Sequence, residues 1–493
     1  MGETVNYLAY DLGASSGRAV VGKFDGERVI LEEVHRFSNG AVSVLDGLYW
    51  DVLCLHEEML QGLRRYVQSF GSQLSGIGID AWGVDFALLD GDDELLGNPR
   101  SHRDPRTEGM MNKAFDIVPK EEIFEQTGIQ FFELNTLYQL LAMVSQDAQQ
   151  LQAAKTFLML PDLFNFWLTG TKVSEFSDAT TTQFYDPRKA GWATDLLSRM
   201  QIPTGILPHI VQPGTKLGPL RPSIAKEAGL DSTEVIVLAC HDTGSAVAAV
   251  PMQLQDAAYI SCGTWALMGV EFPEPRISSN VLSHNFTNEG GVCGTFRFLK
   301  NISGLWIVQE CRRIWELEGR SFSFEDLVRL AGEAAPLAAL VDPDDGSFLT
   351  PGDMPSRIRA FCTRTGQPEP ESEGAIIRCA LESLAIKFRQ VLIELESVCE
   401  KKMEAIHVVG GGSHNTLLCQ LTADATGRPV IAGPGEATAL GNILMQALAD
   451  GKVGSLDQIR EIVRNSTEVV TYEPGPSELW EPAYRRFLKL LAN

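Results

Sequence analysis

Apolar residues along this chain fall into short runs that alternate with stretches of helical period, the pattern that layered α/β proteins require. Residues 7–24, YLAYDLGASSGRAVVGKF, stop being apolar at Asp11, cross Gly13, Ala14, Ser15, Ser16, Gly17 and Arg18, and then resume. This predicts a hairpin whose small-residue turn leaves backbone N–H groups accessible to a phosphate. A tight turn with Asp11 as its cap accounts for the same residues. VILEEVHRF extends the meander, LYWDVLCLHEEMLQGLRRYVQSF reads as an amphipathic helix, and LSGIGIDAWGVDFALLD as strand, turn and strand. Residues from about 100 to 230 are more helical, and EVIVLACHDTGSAVAAV predicts a hydrophobic strand that closes this half.

The opening pattern then returns. AAYISCGTWALMGVEF (257–272) is a second apolar run, interrupted by Cys262, Gly263 and Thr264 near the middle of the chain. This predicts two related lobes, each opening with a small-residue hairpin, and a ligand cleft of the kind that paired lobes form. ESEGAIIRCALESLAIKFRQVLIELESV reads as a long helix, and MEAIHVVGGGSHNTLLCQLTADATG as strand, glycine loop and helix. PVIAGPGEATALGNILMQALADG repeats that order, and WEPAYRRFLKLLAN closes as an amphipathic helix, free to pack back on the first lobe. The expected domains are residues 1–248 and 249–493.

Composition narrows the function. The 493 residues suit two or three domains, and 41 Lys+Arg against 64 Asp+Glu give a formal charge of −23. Such a chain repels nucleic acid and anionic membrane. If it binds a polyanion, the attraction is local: a divalent metal, backbone dipoles or a few basic side chains. Nine cysteines without a C-x-x-C pair suit reduced thiols rather than a disulfide or zinc framework. No signal-like start and no apolar run of about 18 residues is present, so a cytoplasmic protein is expected.

Two hairpin loops could hold a polyphosphate with dipoles rather than lysines, the first with Asp11 and the Gly13–Gly17 bed, the second with Gly263 and Thr264. No G-x-x-x-x-G-K-[ST] occurs, which excludes a P-loop. Gly410-Gly411-Gly412, after a strand and opening a helix, is either an adenosine or α-phosphate seat or a plain strand-to-helix turn. Asp242 in CHDTG ends a strand before a helix. It is placed to take the proton of a substrate hydroxyl as that attacks a phosphoryl group, or else to cap that helix. In GIDAWGVDF, Asp80 and Asp85 are hydroxyl acceptors, and Trp82 is either a sugar-facing indole or core filling. Asn301 and Gln309, eight residues apart, are expected on one helical face, and are solvated unless that face lines the cleft.

DLGASSGR, GIDAWGVD, HDTGSAV, SCGTW and VVGGGSHN, in this order and spacing, resemble the FGGY sugar kinases of the actin/hexokinase/Hsp70 ATPase superfamily. GASSGR, TGIQFFELNTLYQL, SDATTTQF, NFTNEGG and LKNISGLW are similar to its L-rhamnulose kinase branch, and the resemblance runs from Tyr7 to the last helix. It implies two ribonuclease H-like lobes, joined near residues 245 to 257, that close on ATP and sugar. Ala14, Ser15, Ser16, Gly17 and Arg18 would meet ATP phosphates, with Asp11 organising Mg2+ through water. Gly83, His241, Asp242 and Thr243, with Trp82 beside them, would contact the sugar, and Asp242 would be the base. Thr264, Asn301, Gln309 and Gly411 would contact the nucleotide. His102, where the branch suggests tyrosine, Cys262 and Gly244 are departures. The expected reaction is phosphorylation of L-rhamnulose at its 1-hydroxyl, with L-fuculose or L-xylulose as alternative ketoses, by a monomer or homodimer. An ATP-driven conformational machine leaves Asp242 and DAWGVD without a task, and a sugar sensor without catalysis conflicts with the presence of Asp11, Asp242 and both loops.

Overall fold

The opening hairpin forms from Val5–Leu12 and Ser16–Phe24, with Asp11 opposite Arg18 and Leu12 opposite Gly17. Both strands bury aliphatic and aromatic side chains at their centres and turn polar at the loop, which ends the pairing there. A Cβ on Gly17 would lie 2.2 Å from the Phe37 ring, so only glycine lets the strand Val29–Ser38 pack at this point.

The computed structural model describes residues 4–253, 256–476 and 478–491. Residues 254–255, within the segment expected to join two lobes, lie outside it. The chain divides into two units. The first comprises Met1–Ala249, Glu271–Phe298 and Ala437–Ser466, the second Val250–Val270, Leu299–Glu436 and Thr467–Asn493. The chain therefore leaves and re-enters the first unit twice, rather than crossing once after residue 248. The closing helix Trp480–Leu491 belongs to the second unit, where Glu481 accepts a hydrogen bond from Arg389 at 2.6 Å.

The sheet of the first unit has the order 216–219, 234–236, 76–81, 5–12, 16–24, 29–38. Strand Gly76–Ala81 runs parallel to both Val5–Leu12 and Glu234–Ile236. The strand expected to end at Asp242 pairs regularly only as far as Ile236, a single bridge joins Ala81 to His241, and the expected helix spans Asp242–Ala248. Helix Val52–Phe70 is capped by Asp51, which accepts from Cys54 N at 3.1 Å, and buries Leu55, Met59, Leu63 and Tyr66. Helix Ala437–Ala449 packs on the same sheet. Gly22 and Gly78 make room for it, since a Cβ would lie 2.5 Å from Ile443 at the first and 2.6 Å from Asn442 at the second.

The second unit repeats the plan with strands of order 299–303, 265–270, 257–262, 405–409, 430–432, 470–472. Ala405–Val409 is parallel to both Ala257–Cys262 and Val430–Ala432. In each unit, then, three consecutive strands form one side of the sheet and two parallel strands follow beyond the first. The duplication suggested by the two small-residue hairpins is present as topology. Among the described residues, no helix is long and apolar enough to cross a membrane.

Candidate active site

In parallel sheets, ligands settle beyond the carboxyl ends of the strands. In the first unit those ends carry Asp11, Asp80 and the pair His241–Asp242, delivered by three adjacent parallel segments. Asp11 is paired with Arg18 at 2.5 Å, with 14 % and 17 % of their side chains exposed. The loop between them closes through Gly13 N to Ser16 O at 2.9 Å. Asn39 holds it from outside, with Nδ2 on Gly13 O at 2.8 Å and its own N–H on Ser15 O at 3.2 Å. Ala14, Ser15, Ser16, Gly17 and Arg18 are thus gathered beside Asp11, with Ser15 exposed.

Asp242 opens its helix with His241 as the cap residue, and Thr243 Oγ1 donates to Asp242 Oδ1 at 3.2 Å. The Asp242 side chain is 31 % exposed. Desolvation pushes its carboxyl above the ordinary range, His241 opposes this and the charge of Asp11 adds to it. Asp80 is fully buried, and burial followed by the charge of Asp11 drives its carboxyl well up. Asn442 donates to Asp80 Oδ2 at 2.6 Å, and Gln446 braces Asn442 at 2.7 Å.

His241 has its own support. Arg297, wholly buried, places Nη2 at 3.1 Å from His241 Nδ1, and Glu289 lies at 3.3 Å from both. Nε2 faces Asp242 Oδ1 at 3.6 Å.

The turn Trp82-Gly83-Val84-Asp85 is strained. Val84 has φ 67°, in a region β-branched residues avoid, and Asp85 N bonds Gly83 O at 2.9 Å. Three side-chain hydrogen bonds lock it: Val84 N to Thr181 Oγ1 at 3.1 Å, and Thr136 and Gln139 to Val84 O at 2.6 and 3.1 Å. Asp85 is a buried hub that accepts from Trp50, Trp82 and His102 on Oδ2 at 2.7, 2.8 and 2.8 Å, and from Gln139 on Oδ1 at 3.2 Å. Burial alone would raise its carboxyl, but His102 and the indole donors outweigh that and hold it below the usual range. Trp82 belongs to the core, is 7 % exposed, and lies 4.3 Å from the Trp50 ring. Its packing is therefore that of the core-filling alternative, with its N–H committed to Asp85.

In the second unit the strand ends Cys262 and Val409 again lead into loops. Gly410, at φ +78°, and Gly412 lie against Cys262, where a Cβ on Gly412 would fall 2.3 Å from its Sγ. Burial pushes the Cys262 thiol up to about 12. Thr264 Oγ1 donates to Gln309 Oε1 at 3.1 Å, and Gly304, Leu305 and Trp306 return their N–H groups to the carbonyls of Gly263 and Thr264. Thr264, Gln309 and the loop of Gly411 are thus parts of one assembly.

The expected helical face of Asn301 and Gln309 does not exist. Asn301 lies on strand Phe296–Ser303 and Gln309 on helix Trp306–Leu317. The chain turns between them at Gly304, where a Cβ would come within 2.5 Å of the Trp265 backbone. Asp11 offers a hard oxygen donor of the kind Mg2+ accepts, and no cluster of three metal-binding side chains occurs among the described residues.

Residues 6–249 match the model of the FGGY family of carbohydrate kinases, N-terminal domain, and residues 258–449 that of its C-terminal domain. A rhamnulokinase of Bacteroides thetaiotaomicron is 42 % identical over 482 residues, 98 % of each chain. One of Bacillus subtilis is 38 % identical over 95 % of each. A gluconate kinase from Lactobacillus acidophilus superposes with a TM-score of 0.82 at 17 % identity, over 99 % of this chain and 98 % of its own. Plasmodium falciparum glycerol kinase with ADP does so at 0.76 and 15 %, over 100 % and 98 %. The two family models together match most of the chain, which is a member of the FGGY family of carbohydrate kinases.

Proposed function

We propose that this kinase transfers the γ-phosphoryl group of ATP to the 1-hydroxyl of L-rhamnulose, giving L-rhamnulose 1-phosphate and ADP in L-rhamnose catabolism. Full-length identity to proteins named rhamnulokinase supports the sugar. The observation that carries the chemistry is Asp242, a carboxylate at a strand end with its Oδ1 facing the Nε2 edge of His241.

The sugar oxygen attacks the γ-phosphorus, the bond to the β–γ bridging oxygen breaks, and the hydroxyl proton passes to Asp242. In a loose transition state that proton leaves late, so little base strength is needed and a carboxylate raised by its surroundings is an adequate acceptor. Gly83, His241 and Thr243 hold the sugar around Asp242, and Trp82 supports them from the core through its bond to Asp85. Ala14 through Arg18 receive the phosphates of the nucleotide. Thr264, Asn301, Gln309 and Gly411 receive the rest of it. Asp11 would hold Mg2+ through water, and the ion, when bound, neutralises phosphate charge. Nine free cysteines suit a cytoplasmic enzyme.

A panel of L-rhamnulose, L-fuculose, L-xylulose, D-xylulose, D-ribulose and glycerol, compared by kcat/KM with ATP, tests this reading. L-rhamnulose leads the panel. A tenfold lead for glycerol or D-xylulose would overturn the sugar assignment while leaving a kinase.

A further inference from the structure

Three carboxylic side chains from one stretch of the first unit, Asp162, Glu175 and Asp178, have no exposed surface. The fold accounts for two of them. Glu175 caps the helix Phe176–Thr181, accepting from Ser177 N at 2.7 Å and Asp178 N at 3.1 Å, and also takes Ser177 Oγ and Cys240 N. Asp162 accepts from Glu175 N at 3.2 and 3.3 Å. Asp178 has no comparable task. Its Oδ1 receives a long bond from Thr181 at 3.4 Å, and its Oδ2 is buried without a partner. Unpartnered buried polar atoms are rare enough to need an explanation.

Position supplies one. Asp178 Oδ1 lies 3.3 Å from where a Cβ on Gly83 would stand, and Thr181 lies 3.0 Å from it. Thr181 also holds the strained Val84 N–H. On the other side Ser177 Oγ accepts from His241 N at 3.1 Å, which ties the same short helix to the residue preceding Asp242. Asp178 therefore sits on an element braced against both halves of the sugar site.

We propose that Asp178 is a sugar-binding residue that reads one hydroxyl of the ketose. This rests on the reading of Gly83 and Asp242 as sugar contacts. Burial, then the charges of Asp162, Glu175 and Asp242, drive the Asp178 carboxyl well above its ordinary range and favour its protonated form. A protonated carboxyl both donates and accepts, as does a sugar hydroxyl.

The test compares wild type with D178N, which keeps a donor and an acceptor, and D178L, which keeps size alone. Steady-state kcat and KM are measured for L-rhamnulose, L-fuculose and L-xylulose, with ATP KM and melting temperature as controls. D178L should lose roughly 10- to 100-fold in kcat/KM for L-rhamnulose, mostly in KM, as expected when a partner hydroxyl goes unpaired. D178N should stay within about fivefold, ATP KM should hold, and the L-rhamnulose to L-fuculose or L-xylulose ratio should shift in D178L. Where leucine lowers the melting temperature, D178A serves in its place. D178L within threefold of wild type, or an equal loss on all three sugars, overturns the inference alone. A wild-type enzyme that phosphorylates no ketose overturns the functional reading on which it rests.

Discussion

Removing the Asp85 carboxylate should be among the most damaging single changes in the first unit. Three buried N–H groups, from Trp50, Trp82 and His102, converge on its Oδ2, and Gln139 holds Oδ1. A donor left unpaired in the interior costs about 1–3 kcal/mol. Three of them approach the entire net stability of a domain, about 5–15 kcal/mol, so Asp85→Ala should not accumulate as folded protein. Asp85→Asn keeps the shape and one carbonyl, which can accept from two of the three donors, without the charge. A loss of about 2–4 kcal/mol is expected. Urea unfolding followed by tryptophan fluorescence measures it, with Trp50 and Trp82 as the nearest reporters. The sugar KM should rise as well, because Asp85 anchors the turn that carries Gly83. The sign with pH follows from a folded carboxyl held below its unfolded value. Its contribution is complete above the unfolded value near 3.9 and is lost as pH falls through the lower folded one. The difference between wild type and Asp85→Asn should therefore be full at pH 6–7 and shrink below about pH 4. An Asp85→Asn enzyme with an unchanged unfolding midpoint and sugar KM would refute the hub as the support of this turn.

Asp242→Asn keeps size and hydrogen bonding but cannot take the proton, so kcat should drop roughly 10²–10⁴-fold while sugar affinity changes little; a variant with a third of wild-type turnover would move the base elsewhere. Asp11→Ala should weaken MgATP binding and turnover while sparing free sugar, as calorimetry and steady-state rates would report. Gly412→Ala drives a methyl into Cys262, 2.3 Å from its sulfur. That should cost about 1–3 kcal/mol by overpacking and raise the ATP KM, both measurable on the purified variant.

Features built from neighbouring residues were legible in the sequence. Both hairpins, the triple-glycine loop and Asp242 at a strand-to-helix junction announce themselves locally, because turn chemistry and the end of an apolar run are short-range properties. The pairing of Asn301 with Gln309 was misjudged because a spacing of eight satisfies a helix but is silent about Gly304, whose close approach to Trp265 breaks the element. The supports of the site were hidden for a different reason. Arg297 meets His241 across 56 positions, and Asn442 meets Asp80 across 362. Only polar residues at 438, 442 and 446, each four apart on an otherwise apolar helix, hint that one face is spoken for. Asp178 lies in SDATTTQF, which carries no local sign that its carboxyl ends without a partner.

The division of the first unit into three stretches of chain has a consequence for how the protein is made. Gln446 bonds the carbonyl of Leu8 at 3.0 Å across 438 positions, and its helix covers the glycine-lined face of the first sheet. During synthesis that sheet emerges early, yet the helix that seals it leaves the ribosome only after the whole of residues 299–436. At a translation rate of about 5–20 residues per second, the uncovered face waits on the order of ten seconds or more. The amino-terminal lobe is therefore a nascent-chain hazard, prone to association until its last segment arrives. A chain ending before residue 437 should be recovered as aggregate rather than as a free-standing domain.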